Sequence, residues 1–277
     1  MPDSITVPPA PQSAPSATRV GIFDSGVGGL SVLCALRAAI PGAVLHYVAD
    51  SSHAPYGERD QSHVIDRSLR IASHLIDHGA QALVVACNTA TAVAIESLRE
   101  RWPAPAIIGV EPGIKPALAL SRNGRIGVMA TATTLGSARF QRLLKGLGHD
   151  GDFHLQACAG LAAAIERGDL DAPALLELIE LNCRPLREAR VDTVVLGCTH
   201  YPLVRRQIQE ALGAAVQVVD TGTAVARRAA SVLGAICVAT TPPDVLLETT
   251  GDSIQLQRIA RDWLPFPNRV TAAPPEL

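Results

Sequence analysis

The chain has 277 residues, 48% of them apolar and 18% charged, with a formal net charge of -2; this balance describes a globular protein with a sizeable core, in one large or two ordinary domains. Near-neutral charge without a basic block argues against a nucleic-acid surface, and no apolar run reaches the roughly 18 residues of a membrane span. Met1 to Thr18 holds five prolines, no positive charge and no apolar stretch, which predicts a disordered tail instead of a secretion signal, and a cytoplasmic protein. From Arg19 onward, short apolar runs alternate with helical periodicity. The expected elements are strand Val20–Phe23, helix Leu30–Ile40, strand Val44–Ala49, helix Ser62–Asp77, strand Ala82–Ala86, helix Thr91–Arg101 and strand Ala106–Val110. Strands Ile126–Met129 and Phe153–Ala157 follow, then helix Pro173–Arg190, strand Thr193–Leu196, helix Leu203–Leu212 and strand Val216–Val219. Continuous Val/Ile/Leu runs suit buried parallel strands, so the fold class is α/β with a mainly parallel sheet flanked by helices.

The order of these elements carries a weak internal repeat. Arg19-Val-Gly-Ile-Phe is echoed by Arg125-Ile-Gly-Val-Met, and Leu83-Val-Val-Ala-Cys87-Asn-Thr by Val194-Val-Leu-Gly-Cys198-Thr-His. Each half opens with an Arg-x-Gly strand and later ends another strand on cysteine. Two pseudo-symmetric α/β domains are therefore expected, with residues 19–109 plus 220–270 in the first and 110–219 in the second, and 271–277 as a tail. Strand C-terminal ends of such halves face a shared inter-domain crevice, where ligands of open α/β sheets bind.

Six cysteines, at 34, 87, 158, 183, 198 and 237, include no CxxC pair and read as free thiols. Lys115 and Lys145 are the only lysines, and neither is placed as a Schiff-base lysine, which argues against pyridoxal chemistry. Cys87 precedes an expected helix start, and Pro202 suits a helix first turn after Cys198, so the dipole should lower both thiol pKa values. A single cysteine after a strand is ordinarily a small buried hydrophobe; two in matching places point elsewhere. Opposed across one pocket, they would supply a proton acceptor and a proton donor on opposite faces of one carbon, as racemisation requires.

Gly21-Ile-Phe-Asp-Ser-Gly-Val-Gly-Gly-Leu30, Ala49-Asp-Ser-x-x-x-Pro-Tyr-Gly57, Ala86-Cys-Asn-Thr-Ala90, Gly109-Val-Glu-Pro112 and Leu196-Gly-Cys-Thr-His-Tyr-Pro202 together resemble the glutamate racemase family, in the aspartate/glutamate racemase superfamily. The likeness runs in order from about Arg19 to Trp263. It implies a cofactor-independent, metal-free enzyme that supplies D-glutamate for peptidoglycan. On that resemblance Cys87 and Cys198 are the two bases, Asp24 and Ser25 hold the substrate ammonium, and Asp24 also assists Cys87. Asn88, Thr89 and Thr199 bind carboxylate and ammonium, Tyr56 and Gly57 contact substrate, and His200 assists Cys198. Thr131 and Thr134 match a threonine pair near the side-chain carboxylate, and Glu166 a glutamate near His200, although Cys158-Ala159 and Ala163 stand where the family usually has prolines. The expected partners are glutamate and a second copy of the chain.

Other readings of these residues compete. Gly26-Val-Gly28-Gly29 after the first strand, with Asp50 ending the second, resembles a dinucleotide fingerprint; Ser31 at the third glycine position and a carboxylate at Asp24 count against it. A two-lobed binding protein would use the same crevice without chemistry. His74 and His78 have metal-ligand spacing but lack the glutamate of HExxH and a third ligand, and read as a solvated helix face. Aspartate racemase keeps the two-cysteine logic with a shorter substrate.

Overall fold

The apolar runs assemble into two sheets in a computed structural model that describes residues 18–147, 151–234 and 243–277. The tail expected at 1–18 lies outside the described residues except for Thr18, and Cys237 lies outside them too. The first part of the chain runs β1 (Arg19–Asp24), α1 (Leu30–Ala39), β2 (Val44–Ala49), α2 (Gln61–Asp77), β3 (Ala82–Val85), α3 (Asn88–Arg101), β4 (Ala106–Gly109) and α4 (Ile114–Leu120). The second runs β5 (Arg125–Ala130), α5 (Ala132–Gly136), α6 (Ala138–Lys145), β6 (Asp152–Ala157), α7 (Leu161–Glu166), α8 (Pro173–Glu188), β7 (Thr193–Leu196), α9 (Arg205–Leu212) and β8 (Gln217–Val219). Then α10 (Gly222–Leu233), β9 (Val245–Thr249), α11 (Ser253–Trp263) and β10 (Asn268–Ala272) follow. Among the described residues no helix is long and apolar enough to cross a membrane.

Strand order is β10-β9-β2-β1-β3-β4 in one sheet and β6-β5-β7-β8 in the other, and every strand pairing is parallel. The order β2-β1-β3-β4 thus recurs as β6-β5-β7-β8. Register recurs as well: Val20 lies opposite Ala82, and Ile126 opposite Thr193, positions the two sequence echoes bring into correspondence. The expected α/β class holds.

Burial explains the continuous apolar runs. Val20, Ile22, Leu83, Val84, Val194 and Val195 are fully buried, because helices cover both faces of each sheet. One apolar cluster joins Val20, Leu33 and Tyr47 of the first sheet's layer to Met129, Leu161 and Leu196 of the second. That shared core fixes how the two sheets face each other.

The C-terminal part departs from the sequence reading. Strands β9 and β10 were not expected, for β9 is short and leaves Leu246 and Glu248 partly exposed, while β10 is a polar edge strand. Thr271 and Ala272 belong to β10, the Ala273 N–H donates to the Thr249 carbonyl, and Leu277 packs on the Phe23–Val48 core. The segment 271–277 is therefore attached to the sheet, which corrects its reading as a tail.

Candidate active site

Parallel strands deliver their C-terminal residues to one edge, and here β1, β3, β5 and β7 deliver Asp24, Cys87, Thr131 and Cys198. Asp24 is fully buried. Its Oδ1 accepts from the Ser25 N–H at 2.6 Å and the Ser25 hydroxyl at 3.2 Å, while Oδ2 accepts from Thr199 Oγ1 at 3.2 Å, across from the second sheet. Cys87 caps α3: its Sγ accepts the Ala90 N–H at 3.5 Å and lies 3.9 Å from Ser25 Oγ.

Burial pushes the Cys87 thiol well above its ordinary range, and the neighbouring Asp24 carboxylate and Cys198 push it further. The Ala90 N–H acts in the opposite direction and loses. The lowered pKa expected from the helix terminus is thus reversed, because one N–H does not offset complete desolvation. Asp24 is also raised, first by burial and then by Glu166, against the opposing pull of His200.

Cys198 sits differently. Behind it Tyr201–Val204 forms a 3₁₀ turn with Pro202 in its first positions, and α9 runs on from Arg205, so the expected helix start is present in 3₁₀ form. Its Sγ lies 3.6 Å from His200 Nδ1, and His200 Nε2 meets Glu166 Oε1, which also accepts the Val27 N–H at 2.8 Å. Burial works against a charged His200, but the bonds to Cys198 and Glu166 outweigh it and hold the imidazole well above its ordinary value. Glu166 therefore reaches His200 despite the altered residues around it.

The glycine loop has a packing explanation. A Cβ at Gly26 would overlap the Glu166 carboxylate, and one at Gly28 the His200 ring. The glycines make room for that pair, and the dinucleotide reading loses its main support.

A second polar group also bridges the sheets. Thr89 Oγ1 lies 3.0 Å from Thr131 Oγ1 and 3.4 Å from Thr134 Oγ1, and Thr131 caps α5 by accepting the Thr134 N–H at 3.1 Å. Asn88 donates to the Val110 carbonyl at 3.4 Å and keeps a buried, unpartnered Oδ1. A cavity of about 610 Å³ opens on the Cys198 side, lined by Cys34, Thr199, Arg205 and Trp263 as well as Cys198.

The sequence profile of the Asp/Glu/Hydantoin racemase family matches residues 31–229. The chain belongs to that family. Among curated relatives, the glutamate racemase of Ralstonia pickettii (strain 12J) is 49% identical over 243 residues, 86% of this chain and 85% of its own. The glutamate racemase of Pseudomonas aeruginosa (strain UCBPP-PA14) is 49% identical over 222 residues, 80% and 84% of the two chains. Among solved structures, glutamate racemase isoform RacE1 from Bacillus anthracis superposes with a TM-score of 0.83 at 30% identity, covering 94% of this chain and 98% of that one. The Escherichia coli glutamate racemase in complex with L-glutamate and activator UDP-MurNAc-ala gives 0.81 at 29% identity, covering 92% and 98%.

Within this racemase, Tyr56 is held by bonds that the sequence reading did not foresee. It is fully buried, and its hydroxyl donates to Asp50 Oδ2 at 2.6 Å. Asp50 also takes Arg67 at 2.9 and 2.8 Å and the Thr250 hydroxyl at 2.9 Å; none of these supports was foreseen, since they bring together α2, β2 and the turn after β9. Gly57 accepts from Thr133 Oγ1 at 3.0 Å, and Ser31 Oγ donates to the Thr199 carbonyl at 3.0 Å. Both are further links between the two halves that motif reading missed. His74, read as solvent-facing, is instead largely buried against Glu248.

Proposed function

We propose that this racemase interconverts L- and D-glutamate by moving a proton at Cα between two thiols, Cys87 on one face and Cys198 on the other, without a cofactor. The observation that carries the reading is the matched placement of the cysteines. Each follows the equivalent strand, β3 or β7, of two sheets with the same order and register. One thiolate removes the α-proton and the opposite thiol protonates the far side, with roles exchanged in reverse.

The surrounding groups support distinct tasks. The substrate ammonium sits against Asp24, Ser25 and Thr199, and its positive charge opposes the burial and the Asp24 repulsion that keep Cys87 protonated. Asn88 with its free Oδ1, together with Thr89, Thr131, Thr134 and the Gly57 backbone, frames the carboxylates. His200, kept protonated by Glu166, exchanges a proton with Cys198. The part carrying β1–β4, β9 and β10 and the part carrying β5–β8 act as two lobes that part to admit substrate and close on it, as the bonds Thr199–Asp24 and Thr89–Thr131 support. The same reading makes the protein a cytoplasmic homodimer that feeds D-glutamate to cell-wall synthesis.

Racemisation in heavy water tests the mechanism. Product formed early should carry deuterium at Cα while residual substrate carries little, because the abstracting thiol returns its proton to the same face. Label entering both enantiomers alike, or the original proton crossing to product, would overturn the two-thiol scheme.

A further inference from the structure

We infer that His46, His74 and Glu248 form a binding site for a divalent transition metal of the zinc class, separate from the racemase crevice. His46 lies in β2 and Glu248 in the adjacent β9, where Val48 pairs with Glu248, and His74 comes from the last turn of α2. His74 Nε2 stands 2.6 Å and His46 Nε2 2.9 Å from the same oxygen, Glu248 Oε2, and the three donor atoms lie within 4.8 Å of one another. None of the three bonds to Asp24, Cys87, Glu166, Cys198 or His200.

Hydrogen bonding leaves this cluster incomplete. His46 is 1% exposed, yet neither ring nitrogen has a hydrogen-bond partner. Its Nε2 approaches Oε2 without the alignment an N–H···O bond requires. A buried imidazole with a free nitrogen beside a second imidazole and a carboxylate is a donor set that a cation completes. Two nitrogens and one carboxylate oxygen favour zinc, cobalt or nickel over magnesium or calcium, which take oxygen ligands. Metal–ligand bonds of about 2.0–2.2 Å place neighbouring donors roughly 3.3 Å apart, so binding spreads the present contacts by about half an ångström. Water fills the fourth position, or His78, whose ring centroid is 4.2 Å from that of His74. The ion would tie α2 to β2 and β9, and α2 carries the Arg67 that holds Asp50.

The test titrates the metal-free full chain with Co²⁺ alone. One equivalent should bind with the visible absorption of nitrogen and oxygen ligation, and without the near-ultraviolet thiolate band that Cys87 or Cys198 would give. Zn²⁺ should raise Tm in the same protein and shift the ring-proton resonances of His46 and His74. Glu248→Gln and His74→Gln should each weaken Co²⁺ binding by at least ~100-fold, beyond what losing an outer partner costs, while racemisation in chelator continues. Histidine resonances unmoved by Zn²⁺ in the unmutated chain would overturn the site. So would a thiolate band, or binding unchanged in a folded, active Glu248→Gln or His74→Gln variant.

Discussion

Cys198 Sγ lies 3.6 Å from Nδ1 of His200, and Thr89 occupies the matching place after Cys87. The two thiols share strand position but not chemical support. Cys87 has an α-helix N-terminus and the Asp24 carboxylate beside it; Cys198 has a short turn and a histidine held by Glu166. A pseudo-symmetric scaffold thus places two thiols in unlike surroundings.

Cys87→Ser and Cys198→Ser should each cost at least ~10²–10⁴ in turnover, the usual contribution of one general acid–base group. Both directions should suffer, since in the proposed scheme each passage uses both thiols. Circular dichroism on L- and D-glutamate separately reads this directly, and near-normal turnover in either variant would contradict it.

The raised pKa of His200 makes a stability prediction with a definite sign. A folded value above the unfolded 6.5 contributes stability fully below about pH 6.5 and loses it as pH climbs through the folded value. The Tm difference between the unmutated chain and His200→Gln should be widest in mild acid and narrow toward alkaline pH. A difference that grows with pH would show that the imidazole is held neutral.

Gly26→Ala should act on His200 from a distance. The added methyl overlaps the Glu166 carboxylate, so Glu166 must leave His200 or the Val27 N–H. Overpacking of this kind costs about 1–3 kcal/mol, and kcat/KM should fall with it. Gly136→Ala, where nothing lies within 4 Å of the new methyl, serves as the neutral control in thermal melts and assays.

Arg67→Ala should be among the most destabilising changes outside the crevice. It strips a buried carboxylate, Asp50, of both guanidinium bonds, and breaking such a pair costs roughly 3–5 kcal/mol. Arg67→Lys keeps the charge but not the fork, and should fall between the two in denaturant titration.

Much of this was legible along the chain. Buried parallel strands must be apolar on both faces, so the central strands read as Val/Ile/Leu runs, and a duplicated fold leaves the same runs and the same cysteine twice. The Asp24-Ser25, Cys87-Asn88-Thr89 and Cys198-Thr199-His200 motifs are local, and their order marks the family. Strands β9 and β10 escaped because partly exposed strands near a sheet edge carry polar residues and lose that signature.

Three outcomes depended on contacts between residues far apart in the chain. Glu166 meets the glycine loop and His200, Glu248 meets His46 and His74, and Thr250 meets Asp50. The Cys87 pKa belongs with them: the helix terminus that should lower it is visible in the sequence, whereas the burial that raises it exists only once β1, β2, α2 and α3 pack around it. Desolvation depends on everything surrounding a group, and no local motif records what the rest of the chain will place there.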